Sequence, residues 1–374
     1  MNARPRVRAL RGRLDEMVAA LRALVEAESP SADPAALRAC ADRIAEIGGG
    51  LLDAEAERLA VGGLVHLRWR FGGATRVLVL CHYDTVWPLG TLAGWPFGVA
   101  DGVATGPGAF DMKAGLVQGL FALAGLDRLD GVTLLVTADE EVGSETSRVL
   151  IESEAAGASA ALVLEPSAGP AGALKVARKG TSRYEVEIGG RAAHAGLEPE
   201  KGVNALIELA HQVLALERLA RPDLGTSVTP TVAGAGTTEN TVPALARFRV
   251  DVRALLPEEQ LRIDQDLHRL EPVLEDARLT VRGGPNRPPL AERSSTELFA
   301  VAAKLAAELG LEPLQSATVG GASDGNLTAG VGVRTLDGLG AVGGNPHALG
   351  EHVVLAAMPE RAALVAALIE ELAG

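Results

Sequence analysis

The sequence predicts an α/β protein with a mostly parallel sheet, helices on both faces, and a second α+β domain inserted into it. Three short, nearly uninterrupted apolar runs lie at 76–81 (RVLVLC), 132–138 (VTLLVTA) and 160–164 (AALVL). Such runs are typical of strands that are buried on both faces. Helical patterns lie between them, notably at 113–128 and 145–155. Strands that alternate with helices in this way favour a parallel sheet.

The inserted domain is predicted from a change of pattern near residue 180. Residues 182–188 (SRYEVEI) alternate apolar and polar side chains, as a half-buried strand does. The elements that follow are a helix at 201–219, strands at 227–233 and 246–253, a helix at 257–270 and a strand at 278–282. This β-α-β-β-α-β order is that of ferredoxin-like domains.

The domain boundaries follow from this order. The segment GGPNRPP at 283–289 has the composition of a linker, and helical patterns return at 295–309 and 359–373. We expect a discontinuous domain of residues 1–179 and 286–374, and an inserted domain of residues 180–285.

Composition and charge exclude several classes of function. The chain has 374 residues, which is long enough for two domains, and its formal net charge of -13 argues against nucleic acid as a partner. The two cysteines, Cys40 and Cys81, exclude a disulfide framework and disfavour a thiolate zinc cluster. There is no apolar run of roughly 18 residues and no pattern of a secretory signal, so we expect a cytoplasmic protein that does not span a membrane.

Polar, metal-type side chains follow each of the three predicted strands. His82 ends the first strand, and Asp84 follows two residues later as a partner that would fix the tautomer of the His82 ring. Glu140 and Glu141 follow the second strand and Glu165 follows the third. Sites in open α/β sheets form beyond the carboxyl ends of strands, although each of these residues taken alone is also compatible with a structural or surface position.

Two loops add further candidate ligands. Asp111 stands in GPGAFDMKAG (106–115), just before a predicted helix, where it either caps that helix or bridges two metal ions. His347 and His352 stand in GGNPHALGEHV (343–353), and one of them is a candidate for the last ligand. We interpret the remaining histidines that lie in ordinary strand and helix patterns as structural: His66, His211 and His268.

Two histidines and three carboxylates without a thiolate suit zinc, cobalt or manganese. Two metal ions that share one carboxylate can hold a hydroxide, which is a nucleophile at neutral pH. Of the adjacent acids, one would serve as a ligand and its neighbour as the general base that takes the proton of that nucleophile. The sequence therefore predicts a metal-dependent hydrolase.

The order and spacing of these motifs resemble the M20-type metallopeptidases, the family of carboxypeptidase G2, aminoacylase-1 and succinyl-diaminopimelate desuccinylase. The motifs that carry the resemblance are CHYDTV (81–86), GPGAFDMKAG (106–115), TADEEVGS (137–144), LEPS (164–167), GRAAHAG (190–196), ENTVPA (239–244) and GGNPHALGEHV (343–353). The carboxypeptidase G2 branch is the most similar, through HYDTVWPLGTL and HAGLEPEKGVNAL.

The resemblance implies a role for each candidate. One metal ion, expected to be zinc, would be held by His82, Asp111 and Glu165. The other would be held by Asp111, Glu141 and His347, so that Asp111 bridges. Glu140 would be the general base, and Asp84 would orient His82.

The resemblance also implies that the inserted domain is a lid through which the chain forms a homodimer. His194 would reach the active site of the partner subunit, and Asn240 and Arg253 would bind the substrate, Arg253 through a carboxylate. Backbone of the loop GGASDGN (320–326), including Gly321, would line the substrate pocket.

The resemblance is weaker at two places, and the substrate stays open. Met112 stands where the branch often has an acidic or small residue, and 174–184 aligns only loosely, so Lys175 and Lys179 are given no role.

We expect an exopeptidase that releases a C-terminal, glutamate-like amino acid from short peptides or acyl amino acids. The alternatives are an N-acyl-amino-acid deacylase and, with less support, a non-catalytic dimeric binding protein. The glycine-rich loops lack both nucleotide-binding fingerprints.

Overall fold

The computed structural model describes residues 3–374, with side chains from residue 5 onward. The chain divides into two compact units. The first contains the chain up to Ala177, Leu290–Val319 and Ser323–Gly374, and the second contains Arg178–Pro289 and Gly320–Ala322. The predicted inserted domain, 180–285, lies within the second unit.

The helices of the described chain have the following bounds. They are α1 (Ala3–Arg11), α2 (Leu14–Glu26), α3 (Pro34–Leu52), α4 (Thr91–Gly94), α5 (Ala114–Ala124), α6 (Arg148–Ala155), α7 (Ala205–Glu217), α8 (Pro257–His268), α9 (Thr296–Leu309), α10 (Gly325–Gly330) and α11 (Ala357–Ala373). Short helical turns lie at Ala109–Lys113, Glu140–Val142, Pro199–Lys201, Pro222–Leu224 and Glu292–Ser294.

The strands have the following bounds. They are β1 (Glu57–Val61), β2 (Leu64–Phe71), β3 (Val77–His82), β4 (Gly98–Ala100), β5 (Val103–Thr105), β6 (Val132–Thr137), β7 (Ala160–Val163), β8 (Leu174–Arg178), β9 (Gly180–Gly189), β10 (Ser227–Ala235), β11 (Leu245–Ala254), β12 (Arg278–Arg287), β13 (Ser316–Val319), β14 (Thr335–Leu336), β15 (Gly343–Gly344) and β16 (His352–Val354).

The first unit is built on a six-stranded sheet in the order β1-β2-β6-β3-β7-β14. Strand β3 pairs in parallel with β6 and with β7, and β14 pairs in parallel with β7. Strands β1 and β2 extend the sheet in antiparallel pairings. The predicted fold class is confirmed, since the strands that carry the candidate ligands form the parallel centre of the sheet.

The strands of this centre alternate their side chains between two hydrophobic cores. Val79 and Cys81 of β3 belong to the larger core, which includes residues of α2, α3, α5, α9 and α11. Leu78 and Leu80 of the same strand pack on the opposite face with residues of α6 and α10. Burial on both faces explains why these strands read as continuous apolar runs in the sequence.

The second unit is an antiparallel sheet in the order β10-β11-β9-β12. Its core contains the alternate residues Val186 and Ile188 of β9 and Phe248 and Val250 of β11, together with apolar residues of α7 and α8. The structure thus has the predicted β-α-β-β-α-β order. In the part of the chain that the structure describes, no helix is long and apolar enough to cross a membrane.

The interpretation of 283–289 as a linker is wrong over most of its length. Strand β12 continues to Arg287 and pairs with β9, with an irregular register between Pro285 and Arg287. Proline cannot donate to a strand ladder, so strands accept it at a sheet edge or a bulge. Pro285 lies in a position of both kinds, because β12 is an edge strand and the register shifts beside this residue.

Candidate metal centre

The candidate ligands come from the carboxyl ends of three neighbouring strands. His82 is the last residue of β3 and stands opposite Thr137, the last residue of β6. Glu140 and Glu141 follow β6 in a short helical turn, and Glu165 follows β7, which pairs with the other edge of β3. Parallel strands end at the same edge of a sheet, so the fold brings these side chains together.

Two clusters of side chains could each hold a metal ion, and Asp111 belongs to both. In the first, His82 Nε2 lies 3.4 Å from Asp111 Oδ1 and 3.4 Å from Glu165 Oε1. In the second, His347 Nε2 lies 3.3 Å from Asp111 Oδ2 and 3.0 Å from Glu141 Oε1. Each cluster therefore uses a different oxygen of Asp111, as a bridging carboxylate would.

The donor set fits a divalent metal ion. Ligands at the usual zinc distances around a tetrahedral ion lie roughly 3.4 Å from one another, which is the spacing of His82 Nε2 from both of its carboxylates. Asp111 Oδ1 is buried and accepts no hydrogen bond from the described residues. His82 Nε2 lies 3.4 Å from this oxygen, which is longer than an ordinary hydrogen bond, and a cation between the two groups would give the buried oxygen a close partner.

The carboxylates dominate the electrostatics of both clusters. Hydrogen bonds with Asp111 and Glu141 raise the pKa of His347 to about 10. Burial opposes protonation of His82, but Asp111, Asp84 and Glu165 outweigh it and raise the pKa of His82 well above its ordinary value. Burial also raises the pKa of Glu141. A divalent cation would replace the protons that the two imidazoles hold in its absence.

Asp111 does not cap the following helix, so that alternative is wrong. Helix α5 begins at Ala114 and has no side-chain cap, and Asp111 has an extended backbone conformation with φ -113° and ψ 98°. Gly108 makes room for this loop, because it has φ +71° and a Cβ there would lie 2.5 Å from Thr85 Cγ2.

Asp84 contacts more than the sequence predicted. His82 Nδ1 lies 3.0 Å from the backbone carbonyl oxygen of Asp84 and 3.4 Å from Asp84 Oδ1. The Asp84 carboxylate accepts hydrogen bonds from the backbone N–H groups of Glu140 and Glu141, both at 3.1 Å. The same residue therefore contacts the His82 ring and accepts the backbone N–H groups of the turn that carries both glutamates.

Glu140 and His352 belong to neither cluster of the described residues. Glu140 is buried beside Glu141 at the start of the turn. His352 lies in β16, and its Nδ1 is 2.9 Å from the carbonyl oxygen of Gly350. Of the two histidines that the sequence left open, the structure places His347 among the carboxylates.

Four residues near the centre were given no role from the sequence. Ser31 donates to Asp84 at 2.7 Å, and the Met112 sulfur accepts the backbone N–H of His82 at 3.2 Å. Lys175 Nζ lies 3.8 Å from Glu165 Oε2. Glu351 accepts hydrogen bonds from the loop that carries Asp111. Of these four, Glu351 could have been noticed in the sequence, because it is an acidic residue inside the glycine-rich motif of His347. The sequence does not show which backbone N–H groups its carboxylate contacts.

The other residues implied by the resemblance lie in the second unit. His194 is exposed, and its Nδ1 accepts the backbone N–H groups of Gly196 and Leu197 at 3.1 and 3.2 Å. Asn240 is exposed, and its backbone carbonyl oxygen accepts a hydrogen bond from the backbone N–H of Ala195 at 2.9 Å.

Arg253 and Gly321 complete this group. Arg253 Nε and Nη2 donate to the two oxygens of Asp251 at 2.7 and 2.9 Å. Gly321 is exposed and accepts at its carbonyl from Arg178 Nη1 at 3.1 Å.

The fold and the site together define the class: an α/β protein whose sheet carries a candidate two-metal centre at the ends of its parallel strands. The model of Peptidase family M20/M25/M40 matches residues 78–371, and the chain therefore belongs to this family. The protein is a hydrolase that acts on amide or peptide bonds.

Relatives with assigned activities cover most of the chain. It is 29% identical to carboxypeptidase G2 of Pseudomonas sp. (strain RS-16) over 376 residues, which are 95% of this chain and 89% of the relative. It is 30% identical to succinyl-diaminopimelate desuccinylase of Wolinella succinogenes over 305 residues, 76% of this chain and 81% of the relative.

Solved structures share the whole fold. Aminopeptidase PepT from Bacillus cereus ATCC 10987 has a TM-score of 0.73 at 23% identity and covers 96% of this chain and 99% of its own. The YXEP protein of Bacillus subtilis, described as a dinuclear metal-binding peptidase of the M20 family, has a TM-score of 0.66 at 18% identity, with coverages of 97% and 99%.

Proposed function

We propose that this protein is a dinuclear metal-dependent exopeptidase of carboxypeptidase G2 type, which releases a C-terminal, glutamate-like amino acid from short peptides or N-acyl amino acids. The observation that carries the proposal is Asp111, whose two oxygens each face a separate histidine–carboxylate cluster. The dinuclear description of the YXEP protein supports the same metal count.

The five ligands are His82, Asp111 and Glu165 for one ion and Asp111, Glu141 and His347 for the other. Nitrogen and oxygen donors without a thiolate suit zinc, with cobalt or manganese as substitutes. When bound, two such ions lower the pKa of water and polarise a carbonyl oxygen.

Glu140 is the proposed general base. Its neighbour Glu141 faces His347, while Glu140 belongs to neither cluster and stays buried at the same strand end. A carboxylate held there can take a proton from the attacking water and deliver it to the leaving nitrogen. The backbone hydrogen bonds from Glu140 and Glu141 to Asp84 fix the geometry of this transfer.

Arg253 is the proposed partner of the substrate's free carboxylate. Asp251 occupies the side of the guanidinium formed by Nε and Nη2. The guanidinium has further N–H groups at Nη1, and these point in a direction from which they can bind a second carboxylate. Asn240 and the backbone of Gly321 are proposed to contribute further hydrogen bonds to the substrate.

The proposed homodimer would form through the second unit. Strand β10 is an edge strand of its sheet, and it exposes Val232. Helix α7, which packs on β10, exposes Ile207 and Leu214. A second copy of this chain is the occupant that we propose for this apolar surface, because an unpaired strand edge beside exposed aliphatic groups favours association.

His194 is the proposed donor to the substrate oxygen that becomes negatively charged as the amide carbon becomes tetrahedral. Two backbone N–H groups point at Nδ1, so the neutral ring carries its proton on Nε2. The ring is therefore held as a hydrogen-bond donor on its outer nitrogen, which is the form that this role needs.

The His194→Ala variant is expected to lower turnover about 10² to 10³-fold, the usual contribution of such a donor. Metal content and dimerisation should not change. The matched control is His268→Ala, which removes another exposed histidine of the same unit and should keep turnover within about twofold. Steady-state kinetics and elemental analysis provide the measurements.

Mixed dimers test whether His194 acts in the partner subunit. Co-refolding His194→Ala with Glu140→Gln subunits gives heterodimers in which one site has both an intact base and the partner's histidine. With random mixing about a quarter of the wild-type activity should return. Mixtures no more active than the parents would show that His194 acts within its own subunit or not at all.

A substrate panel tests the proposed specificity. Acyl-glutamates with a free α-carboxylate should be hydrolysed with kcat/KM at least about 10²-fold above their α-amides, because the amide leaves the arginine without its charged partner. Arg253→Gln should remove most of this preference and leave hydrolysis of the amides unchanged. Equal rates on both substrates in the wild type would contradict the proposal.

The second candidate function is an N-acyl-amino-acid deacylase. The 30% identity with the Wolinella succinogenes desuccinylase favours it. Adding N-acetyl and N-succinyl amino acids and dipeptides to the panel decides between the two, since a deacylase should prefer the N-acetyl or N-succinyl compounds over dipeptides and acyl-glutamates. A protein that binds these compounds without hydrolysing any of them would instead support the non-catalytic alternative.

A further inference from the structure

Glu351 is fully buried and accepts four hydrogen bonds. Its Oε1 accepts from the backbone N–H groups of Phe110 at 2.8 Å and Asp111 at 3.0 Å. Its Oε2 accepts from the N–H of Gly108 at 3.1 Å and from the indole N–H of Trp87 at 2.8 Å. A carboxylate is stable in such a place only because donors surround it.

Three of these donors belong to the loop that ends at Asp111. The N–H groups of Gly108, Phe110 and Asp111 all point at one side chain, so the carboxylate of Glu351 supplies the acceptors that these three donors need. The last of the three is the N–H of Asp111 itself. The position of the Asp111 side chain therefore depends on where Glu351 lies.

Glu351 is also joined to the loop that carries His347. It follows His347 by four residues, and its own N–H donates to the carbonyl of Ala348 at 3.1 Å. The next residue begins β16, where His352 pairs with Thr105 at the entrance to the Asp111 loop. Strand pairing thus holds the two loops side by side, and Glu351 connects them.

We propose that Glu351 is a positioning residue that sets the metal affinity of the centre by fixing the backbone of Asp111 relative to His347. This rests on the proposed function. In the described part of the chain, the Glu351 carboxylate accepts from the loop backbone and from Trp87 and not from a proposed ligand side chain, so it acts through the N–H groups of the loop. Partners of ligands are commonly worth 10 to 100-fold in metal affinity.

The central variant is Glu351→Gln, which keeps the side-chain volume. An amide offers one oxygen and one NH₂ group, so in either orientation two of the four N–H donors lose their acceptor and face another donor. We expect the affinity for zinc, measured by competition with a chromophoric chelator, to fall about 10 to 100-fold. Saturating metal should restore most of the turnover.

Two controls separate positioning from other causes. Glu208→Gln changes an equally buried glutamate of the second unit that accepts from the N–H groups of Val273 and Leu274. It should lower the Tm of the metal-free protein about as much as Glu351→Gln does, and leave metal affinity unchanged.

Glu351→Asp keeps the negative charge but withdraws the carboxylate by about 1.5 Å. Metal affinity should fall here too. Wild-type affinity in this variant would show that charge, not position, is what Glu351 supplies, and would overturn the proposal.

The outcomes are distinguishable from failure of the proposed function. A wild-type protein that binds no metal contradicts the proposed function itself. A wild type that binds two ions, with Glu351→Gln unchanged within about twofold, contradicts only the role of Glu351. If Glu351→Gln does not accumulate as folded protein, Trp87→Phe removes one donor of the four and should lower the affinity severalfold, and an unchanged affinity would overturn the proposal.

Discussion

Removal of divalent metal is expected to abolish hydrolysis by this protein, and addition of zinc, cobalt or manganese is expected to restore it. The physical reason is the concentration of three carboxylates and two imidazoles at one sheet edge, where the buried Asp111 Oδ1 accepts no hydrogen bond from the residues that the structure describes. The measurement is turnover of an acyl-glutamate before chelation, after chelation and after stepwise return of metal, with bound metal determined by elemental analysis.

The number of metal equivalents that restore activity provides a control for this experiment. Activity should return with about two equivalents of metal, since the two clusters share only Asp111. The chelator must be removed before metal is returned, so that a direct effect of the chelator is excluded. Full activity in protein that contains no divalent metal would overturn the metal-dependent mechanism.

The metal affinity should also depend on pH. The carboxylates raise the pKa of His347 to about 10 and raise that of His82 well above its ordinary value. In the metal-free protein both rings are then protonated at neutral pH, and a metal ion must displace those protons. Affinity should therefore rise as pH rises through the neutral range. An affinity independent of pH between 6 and 9, a window of about three units, would contradict protonated rings.

The second large effect is expected from Glu140→Gln. This change removes the proposed base and leaves both clusters intact, so turnover should fall by roughly 10² to 10⁴-fold while two metal ions remain bound. The variant is nearly isosteric, and the Glu140 backbone N–H that donates to Asp84 is unaffected. Steady-state kinetics and elemental analysis on the same preparation provide both readouts.

The neighbouring residue supplies the matched control. Glu141→Gln alters the side chain that lies 3.0 Å from His347 Nε2. It should lose metal, and excess metal should recover part of its turnover. The assignment of the two glutamates is wrong if Glu140→Gln loses metal while Glu141→Gln keeps it and loses turnover.

The sequence by itself determined the fold and the strand ends that carry most of the candidate site. Uninterrupted apolar runs identify strands buried on both faces, and parallel strands must end at a common edge. His82, Glu141 and Glu165 follow three such strands, so their proximity followed from local patterns alone. The β-α-β-β-α-β order of the second unit was equally readable, because alternation of apolar and polar residues has a short period.

Only the tertiary structure decided what depends on partners distant in the chain. Asp111 is extended and faces two histidines instead of capping α5. Residues up to Arg287, which have the composition of a linker, form the edge strand β12 because β9 supplies the pairing. Local composition cannot show which strand will lie alongside a segment.

The hydrogen bonds of Asp84 and Glu351 could likewise not be predicted from local sequence. Asp84 accepts from a turn more than fifty residues away in the chain, with separations of 56 and 57, and Glu351 accepts from a loop at separations of 240 to 243. Which backbone N–H groups lack a partner within a loop, and which carboxylate reaches them, is fixed when the chain packs. Spacing in the sequence therefore predicted the proposed ligands and Asp84 as a partner of His82, whereas the backbone N–H groups that Asp84 and Glu351 accept became visible only in the folded chain.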